Sequence, residues 1–416
     1  MKIVMFYHSL LSDWNHGNAH FLRGVVSELR SRNHNIHVYE PQDAWSLENL
    51  LAEYGDEPIK RFYAAYPGLE SIRYDLQTLD LDEVLDGADL VIVHEWSDRD
   101  LVRRIGEHRA RSSFKLLFHD THHRSVSDRA SMAAYDLSNY DGVLAFGNII
   151  RDIYLSENWT QRAWTWHEAA DTRLFHPIEN LTPQPPSLQG KGEKEEGTQF
   201  SPLQPKKFIP FPSPCRGGLG RGGEGLGERS KSGDLVWIGN WGDEERTAEL
   251  HEFLIEPVKE LGIKARVHGV RYPENAIASL KSAGIEYAGW LPNFEAPQVF
   301  SHFKVTVHVP RRYYVQSLPG IPTIRVFEAL ACGIPLVSAP WEDVEGLFTP
   351  GKDFLIASNG DQMKRHLSNL LQDEDMAQEL AHHGRQTILQ KHTCTHRVDE
   401  LLEIYAELET PETLTL

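Results

Sequence analysis

The chain has 416 residues and a formal net charge of −18 at pH 7, from 60 acidic against 42 basic side chains. That length supplies two or three domain cores, and an acidic balance without a long basic tract argues against nucleic acid as a partner. Cys215, Cys332 and Cys394 are too few and too scattered for a disulfide framework or a zinc site, which fits a reducing, cytoplasmic setting, and no apolar run is long enough to span a bilayer.

In chain order, Lys2–His8 is an apolar strand rather than a secretory leader, because its apolar run ends within a few residues and no small-residue cleavage site follows. A polar loop, Leu10–Asn18, leads into Ala19–Ser31, where Phe21, Leu22, Val25, Val26 and Leu29 recur with helical period. Further strands are expected at Asn35–Tyr39, Asp89–His94, Lys115–His119 and Gly142–Phe146. Short apolar strands alternating with helical segments argue for a parallel, doubly wound α/β sheet. No G-x-G-x-x-G follows the first strand, so a dinucleotide fingerprint is missing. Asp80 and Asp82 sit among leucines at a helix start and read as capping residues, not as a metal-binding Asp-x-Asp.

Residues 180–233 break the pattern with Pro, Gly and charged runs that cannot bury enough apolar surface to offset their ordering entropy, and are expected to be a disordered insertion. The alternation resumes at Asp234–Gly239. A helix is expected over Glu244–Leu261 and strands at Ala265–Val270, Glu286–Ala288, Val305–Val309, Pro335–Ser338 and Phe354–Ala357. Helices over Gly360–Leu371, Met376–Gln390 and Arg397–Leu408 close the chain.

The most informative stretch is Thr323–Ser338. It reads as a short helix carrying Glu328, a stop at Gly333 and Pro335, and a buried strand. A helix start offers free N–H groups and a positive dipole end to a phosphate, and a carboxylate one turn in can accept from sugar hydroxyls.

This block resembles the nucleotide-sugar motif of GT-B glycosyltransferases, in particular the family-4-type and spore-maturation-protein-type (group 1) enzymes. Their pattern is Glu, seven residues, Glu, then Ala-x-Ala-Cys-Gly-x-Pro. Glu328 matches the second Glu; the first falls on Gly320 and is absent. Trp166–Pro177, most strongly Asp171–Pro177 within it, is similar to the segment that ends the first domain of that family. The resemblance implies a GT-B-like fold of two Rossmann-like domains facing across a cleft. Residues 1–177 form the acceptor-side domain, 178–233 the disordered insertion, 234–395 the nucleotide-sugar domain, and 396–416 a helix and tail crossing back to the first domain.

Ligands of open α/β sheets sit beyond the carboxyl ends of the strands, and the resemblance assigns roles to residues there. The donor set is Gly17 and Asn18 from the first domain and Gly239, Asn240, Arg246, Trp290, Arg325 and Glu328 from the second. Asn240 replaces an arginine of the family pattern, and Arg246 takes over as the cation. Arg311 and Arg312 are further phosphate candidates. Solvated pairing with Glu244 and Glu245 is the competing reading of Arg246, and an ion pair with Glu328 that of Arg325. His119, at the end of its strand beside His94, is the catalytic candidate; in an inverting reaction His119, His16 or His20 would be the base. His119, Asp120, His122 and His123 match no standard zinc spacing, so no metal and no cofactor is expected. The reading is a metal-independent glycosyltransferase taking a sugar from a nucleoside-diphosphate sugar to a glycan, lipid or small-molecule acceptor. A nucleotide-sugar epimerase on the same fold and a degenerate glycan-binding or scaffold protein are the alternatives.

Overall fold

The computed structural model describes residues 1–178, 231–242 and 244–410. The expected disordered insertion falls almost wholly on residues 179–230, outside the described residues, and so does Cys215. Among the described residues Cys332 and Cys394 are free, buried thiols, and no helix is long and apolar enough to cross a membrane.

The first half is a seven-stranded sheet. Its strands are β1 (Lys2–Phe6), β2 (Asn35–Pro41), β3 (Ser71–Tyr74), β4 (Leu90–His94), β5 (Lys115–Asp120), β6 (Gly142–Ala145) and β7 (Ala163–Thr165). They lie in the order β3-β2-β1-β4-β5-β6-β7, and every pairing is parallel. Parallel sheets are covered on both faces, which is why Leu90–His94 is buried throughout. The second half repeats the plan with β8 (Gly233–Ile238), β9 (Ala265–His268), β10 (Glu286–Tyr287), β11 (Phe303–His308), β12 (Leu336–Ser338) and β13 (Leu355–Ile356). Their order is β10-β9-β8-β11-β12-β13, again all parallel. Strand order reverses between β1 and β4 in one sheet and between β8 and β11 in the other, and such switch points open a crevice at the strands' carboxyl ends.

The helix Ala19–Ser31 has its expected bounds, and its apolar stripe is buried. The segment expected as one helix over Glu244–Leu261 begins instead at Thr247 and passes through a π turn, His251–Ile255, before Glu256–Leu261. Pro257 lacks an N–H and its ring clashes with the carbonyl four residues back, so the wider turn just before it relieves both faults. Asp80 caps its helix, accepting from Asp82 N at 2.9 Å and Glu83 N at 3.3 Å.

The final helix, Cys394–Glu409, packs against the first half. Trp166 Nε1 donates to Arg397 O at 2.8 Å and Arg32 Nη1 to Asp399 Oδ1 at 2.6 Å. The described residues of 1–178 and 231–410 form one compact body. Side chains lock its halves together. Trp290 Nε1 and Asn293 N donate to Asp13, at 3.1 and 3.0 Å, and Asn148 N donates to Glu345 Oε1 at 2.8 Å.

Candidate active site

A cleft of about 1160 Å³ opens where the two switch points face each other. Tyr7 and His8 after β1, Trp96 after β4, and Thr121 and His122 after β5 line it from the first sheet. Gly239 and Asn240 after β8 and Val309 and Arg311 after β11 line it from the second. The helix Ile324–Ala331 points its first turn into the cleft, where Thr323, Ile324 and Arg325 are exposed to it.

Among the described residues, four arginines, Arg246, Arg271, Arg311 and Arg325, reach the cleft from the second half, and no carboxylate of that half lines it. Arg246 donates to carbonyl oxygens alone: Val309 O at 2.8 Å, Trp241 O at 3.3 Å, and Asn240 O. Its guanidinium also lies 5.2 Å over the Trp237 ring. Burial, with the nearby charge of Arg311, lowers its pKa to about 9. A cation held this way is short of negative charge, and a bound anion would supply it. Arg311 pairs with Glu245 at 3.0 Å, and Arg312 pairs with Glu249 at 2.9 Å; Arg312 does not line the cleft.

His308 fixes the neighbouring helix start. Ser338 Oγ donates to Ala339 O at 2.8 Å, so it accepts from His308 Nδ1 at 2.9 Å. His308 Nε2 is then an acceptor, and Thr323 Oγ1 donates to it at 3.1 Å. Burial lowers the His308 pKa to about 3 and keeps the ring neutral.

Glu328 stands behind this start and does not line the cleft. It is fully buried. Asn293 Nδ2 donates to Oε1 at 2.5 Å, His20 Nδ1 lies 3.2 Å from the same oxygen, and Arg325 Nη1 pairs with Oε2. His20 Nε2 accepts from Asp171 N at 2.8 Å, which places the ring proton on Nδ1, facing Glu328. Burial pushes the Glu328 carboxyl up, but Arg325, His20 and Asn293 more than offset it and hold its pKa below the ordinary value. The ion pair with Arg325 is the geometry found, and Glu328 faces Arg325 rather than the cleft. The missing Glu at 320 also has a physical cause. Gly320 has φ +91°, and a Cβ there would lie 2.7 Å from Glu345 Cγ and from Val344 Cγ2, so a side chain is excluded.

The expected donor residues divide. Gly17, Asn18, Gly239, Asn240, Arg246 and Arg325 meet in the cleft. A Cβ on Gly17 would lie 2.8 Å from Ile324 Cγ2, so glycine permits the close approach of the two helix starts. Asn18 Nδ2 donates to Thr121 Oγ1 at 2.9 Å, and Asn240 Nδ2 to Asn15 Oδ1 at 2.7 Å. Trp290 lies outside the cleft lining; its ring packs on Tyr54 at 4.9 Å and its Nε1 holds Asp13.

His119 is also outside the lining and 1% exposed. Tyr7 Oη hydrogen bonds to its Nδ1 at 2.6 Å, and Trp166 packs edge-on at 4.8 Å. The strand β5 runs one residue past His119, so Thr121 and His122 are the residues that emerge into the cleft. Burial lowers the His119 pKa to about 3 and that of His16 to about 4. Bases that weak accept a proton poorly near neutrality.

Sequence reasoning missed Glu168, which lies in the segment read only as a domain end. It lines the cleft at 6% exposure, and takes a backbone hydrogen bond from Ile324 at the helix start. Burial, reinforced by the Glu328 charge, raises its pKa to about 8. Its place beside Gly17 and Ile324 is set by tertiary packing, which no local pattern reports.

Residues 246–403 match the family model described as glycosyl transferase-like. No curated protein matches the chain by sequence. Several solved structures do match in fold. Sucrose-phosphate synthase from Thermosynechococcus elongatus is 12% identical with a TM-score of 0.60, over 98% of this chain and 99% of that one. Anabaena HepE in complex with UDP and glucose is 12% identical with a TM-score of 0.60, over 98% and 100%. An α-glucosyltransferase in complex with UDP and a 13-mer DNA is 10% identical with a TM-score of 0.62, over 98% and 99%. The fold is that of the GT-B glycosyltransferases. The family match likens residues 246–403, and not the whole chain, to the glycosyl transferase-like proteins.

Proposed function

We propose that the protein transfers a sugar from a uridine-diphosphate sugar to a hydroxyl of an acceptor bound by the first half. The observation that carries this is the cluster of Arg246, Arg311 and Arg325 around the start of the helix Ile324–Ala331, with no second-half carboxylate lining the cleft among the described residues. Two structural neighbours hold UDP, which supports uridine as the base. In transfer the bond from the anomeric carbon to the diphosphate breaks while an acceptor oxygen bonds to that carbon and loses its proton. Charge collects on the departing diphosphate, and preorganised donors there lower the barrier. Arg246 and Arg325 are the cations of this reading, so it assigns no step to a metal. Gly17 and Asn18 bring the first half against the phosphates, and Gly239 and Asn240 bound the nucleotide side.

Glu328 serves as a positioning residue acting through Arg325, and His119 as one acting through Tyr7. Glu168, protonated at neutral pH, is placed to hydrogen bond a phosphate oxygen. The two halves act as closing domains, 1–177 and 234–395, with 396–410 strapped back across the first; the rest of the expected 396–416 segment lies outside the described residues. Free buried Cys332 and Cys394 fit a cytoplasmic location. Titration calorimetry with UDP tests the proposal: wild type binds and Arg246→Ala binds far more weakly. Equal affinity in the two, with both folded, removes the arginine cluster from the donor site.

A further inference from the structure

The cleft divides sharply by charge, and the division speaks to the acceptor. Among the described residues, all four lining arginines come from the second half, whereas the first half contributes Asp43, Glu48, Asp75, Asp98 and Glu168 and neither Lys nor Arg. Asp43, Glu48, Asp75 and Asp98 form no ion pair among the described residues, so no paired cation neutralises their charge at the cleft. Glu168 is the exception, since burial keeps it protonated. Between the carboxylates stand two exposed indoles. Trp45 is 49% and Trp96 is 43% exposed, and both line the cleft. They are held rather than loose. Trp14 packs edge-on against Trp45 at 5.1 Å, and Arg124 lies 4.5 Å over the Trp96 ring. The His16 ring sits 6.4 Å from each indole. His8 and His122 also line this arm, each with a shielded Nδ1 that has no hydrogen-bond partner.

Flat indoles take the C–H faces of pyranose rings, neutral imidazoles and carboxylates take their hydroxyls, and a field of unpaired carboxylates repels phosphate while attracting amines. On the glycosyl-transfer reading above, we infer that the acceptor is an uncharged or amine-bearing carbohydrate seated between Trp45 and Trp96, and that phosphate-bearing acceptors, nucleic acid included, are turned away. The neighbour solved with DNA thus marks a shared fold and not a shared acceptor.

The test is saturation-transfer NMR on the full chain with maltotriose, a glucosamine trimer, glucose 6-phosphate and a short single-stranded DNA, run with and without saturating UDP, which occupies the arginine arm. Maltotriose and the glucosamine trimer should bind about tenfold more tightly than glucose 6-phosphate at low salt, and the gap should narrow as salt screens the carboxylates. Trp96→Ala should weaken maltotriose about fivefold or more while UDP affinity stays within about twofold. The triple variant Asp43→Asn, Asp75→Asn, Asp98→Asn should admit glucose 6-phosphate; asparagine at 98 keeps the helix cap. Glucose 6-phosphate or DNA binding as tightly as maltotriose and lost in Trp96→Ala would overturn the inference, as would maltotriose binding indifferent to Trp96. Absence of UDP binding by calorimetry would instead defeat the donor reading, and the sugar series without UDP would still decide the acceptor class.

Discussion

The two halves of the cleft share one topology and carry opposite chemistry. Each is a parallel sheet with a switch point, yet one presents Arg246, Arg311 and Arg325 and the other Asp43, Asp75 and Asp98. The fold therefore fixes where ligands sit, and the residues just past each strand fix what they are. The arginine side is also the better braced. Arg246 is tied to three carbonyls and Arg325 to Glu328, whereas the carboxylates of Asp43 and Glu48 make no hydrogen bond among the described residues. A braced cationic site suits one fixed anion, and a looser acidic arm suits a polyol that can settle in more than one pose.

The contrast can be broken most severely at Arg246. Arg246→Ala should cost about 1.5–3 kcal/mol of UDP affinity, because a charged donor to phosphate is lost. Calorimetry reads the loss, and a thermal melt shows whether the three carbonyls left behind also cost stability. The glutamate of the family pattern can next be forced into position 320. Gly320→Glu should destabilise the protein by about 1–3 kcal/mol, through the left-handed backbone and the contact with Glu345. Chemical denaturation measures this, and an unchanged midpoint would show that the position tolerates the missing family residue.

The sharpening test is Glu168→Gln. The folded pKa, about 8, lies above the ordinary 4.5. Below pH 4.5 the carboxyl is protonated folded or unfolded. Between 4.5 and 8 the unfolded chain loses this proton while the folded chain keeps it, so wild-type stability falls as pH rises through that window. The Gln variant lacks that loss and should gain about 1 kcal/mol or more relative to wild type from pH 5 to pH 8.5. Melts at the two pH values decide it. The smallest effect is expected at Asn240→Ala, which removes neutral hydrogen bonds to Asn15 and Val270 and should cost about 0.5–1.5 kcal/mol. Hydrogen exchange at Val270 N would report the loosened junction.

Much of this was legible in the sequence. Apolar runs located the long strands to within a residue or two, because a parallel sheet buried on both faces leaves uninterrupted aliphatic segments. The rule of the strands' carboxyl ends then brought Gly17, Asn18, Gly239, Asn240, Arg246 and Arg325 to one cleft. What failed was orientation. Glu328 shares a helical side with Arg325, and that much is local, but Asn293 and His20, which bury it, come from distant segments. His119 missed the cleft because β5 continues to Asp120. The same rule applied one residue later selects Thr121 and His122, and applied after β4 it selects Trp96. The helices Trp45–Tyr54 and Glu57–Ala65 went unread. Trp45, which starts the first of them, is an exposed indole whose role depends on the facing wall.

The central claim is that the arginine side of the cleft holds the donor diphosphate. A crystal structure of the full chain with UDP tests it most directly. The diphosphate should lie within hydrogen-bonding distance of Arg246 and Arg325, at the start of the helix Ile324–Ala331. A diphosphate bound away from these groups, or seated among Asp43, Asp75 and Asp98, would contradict it.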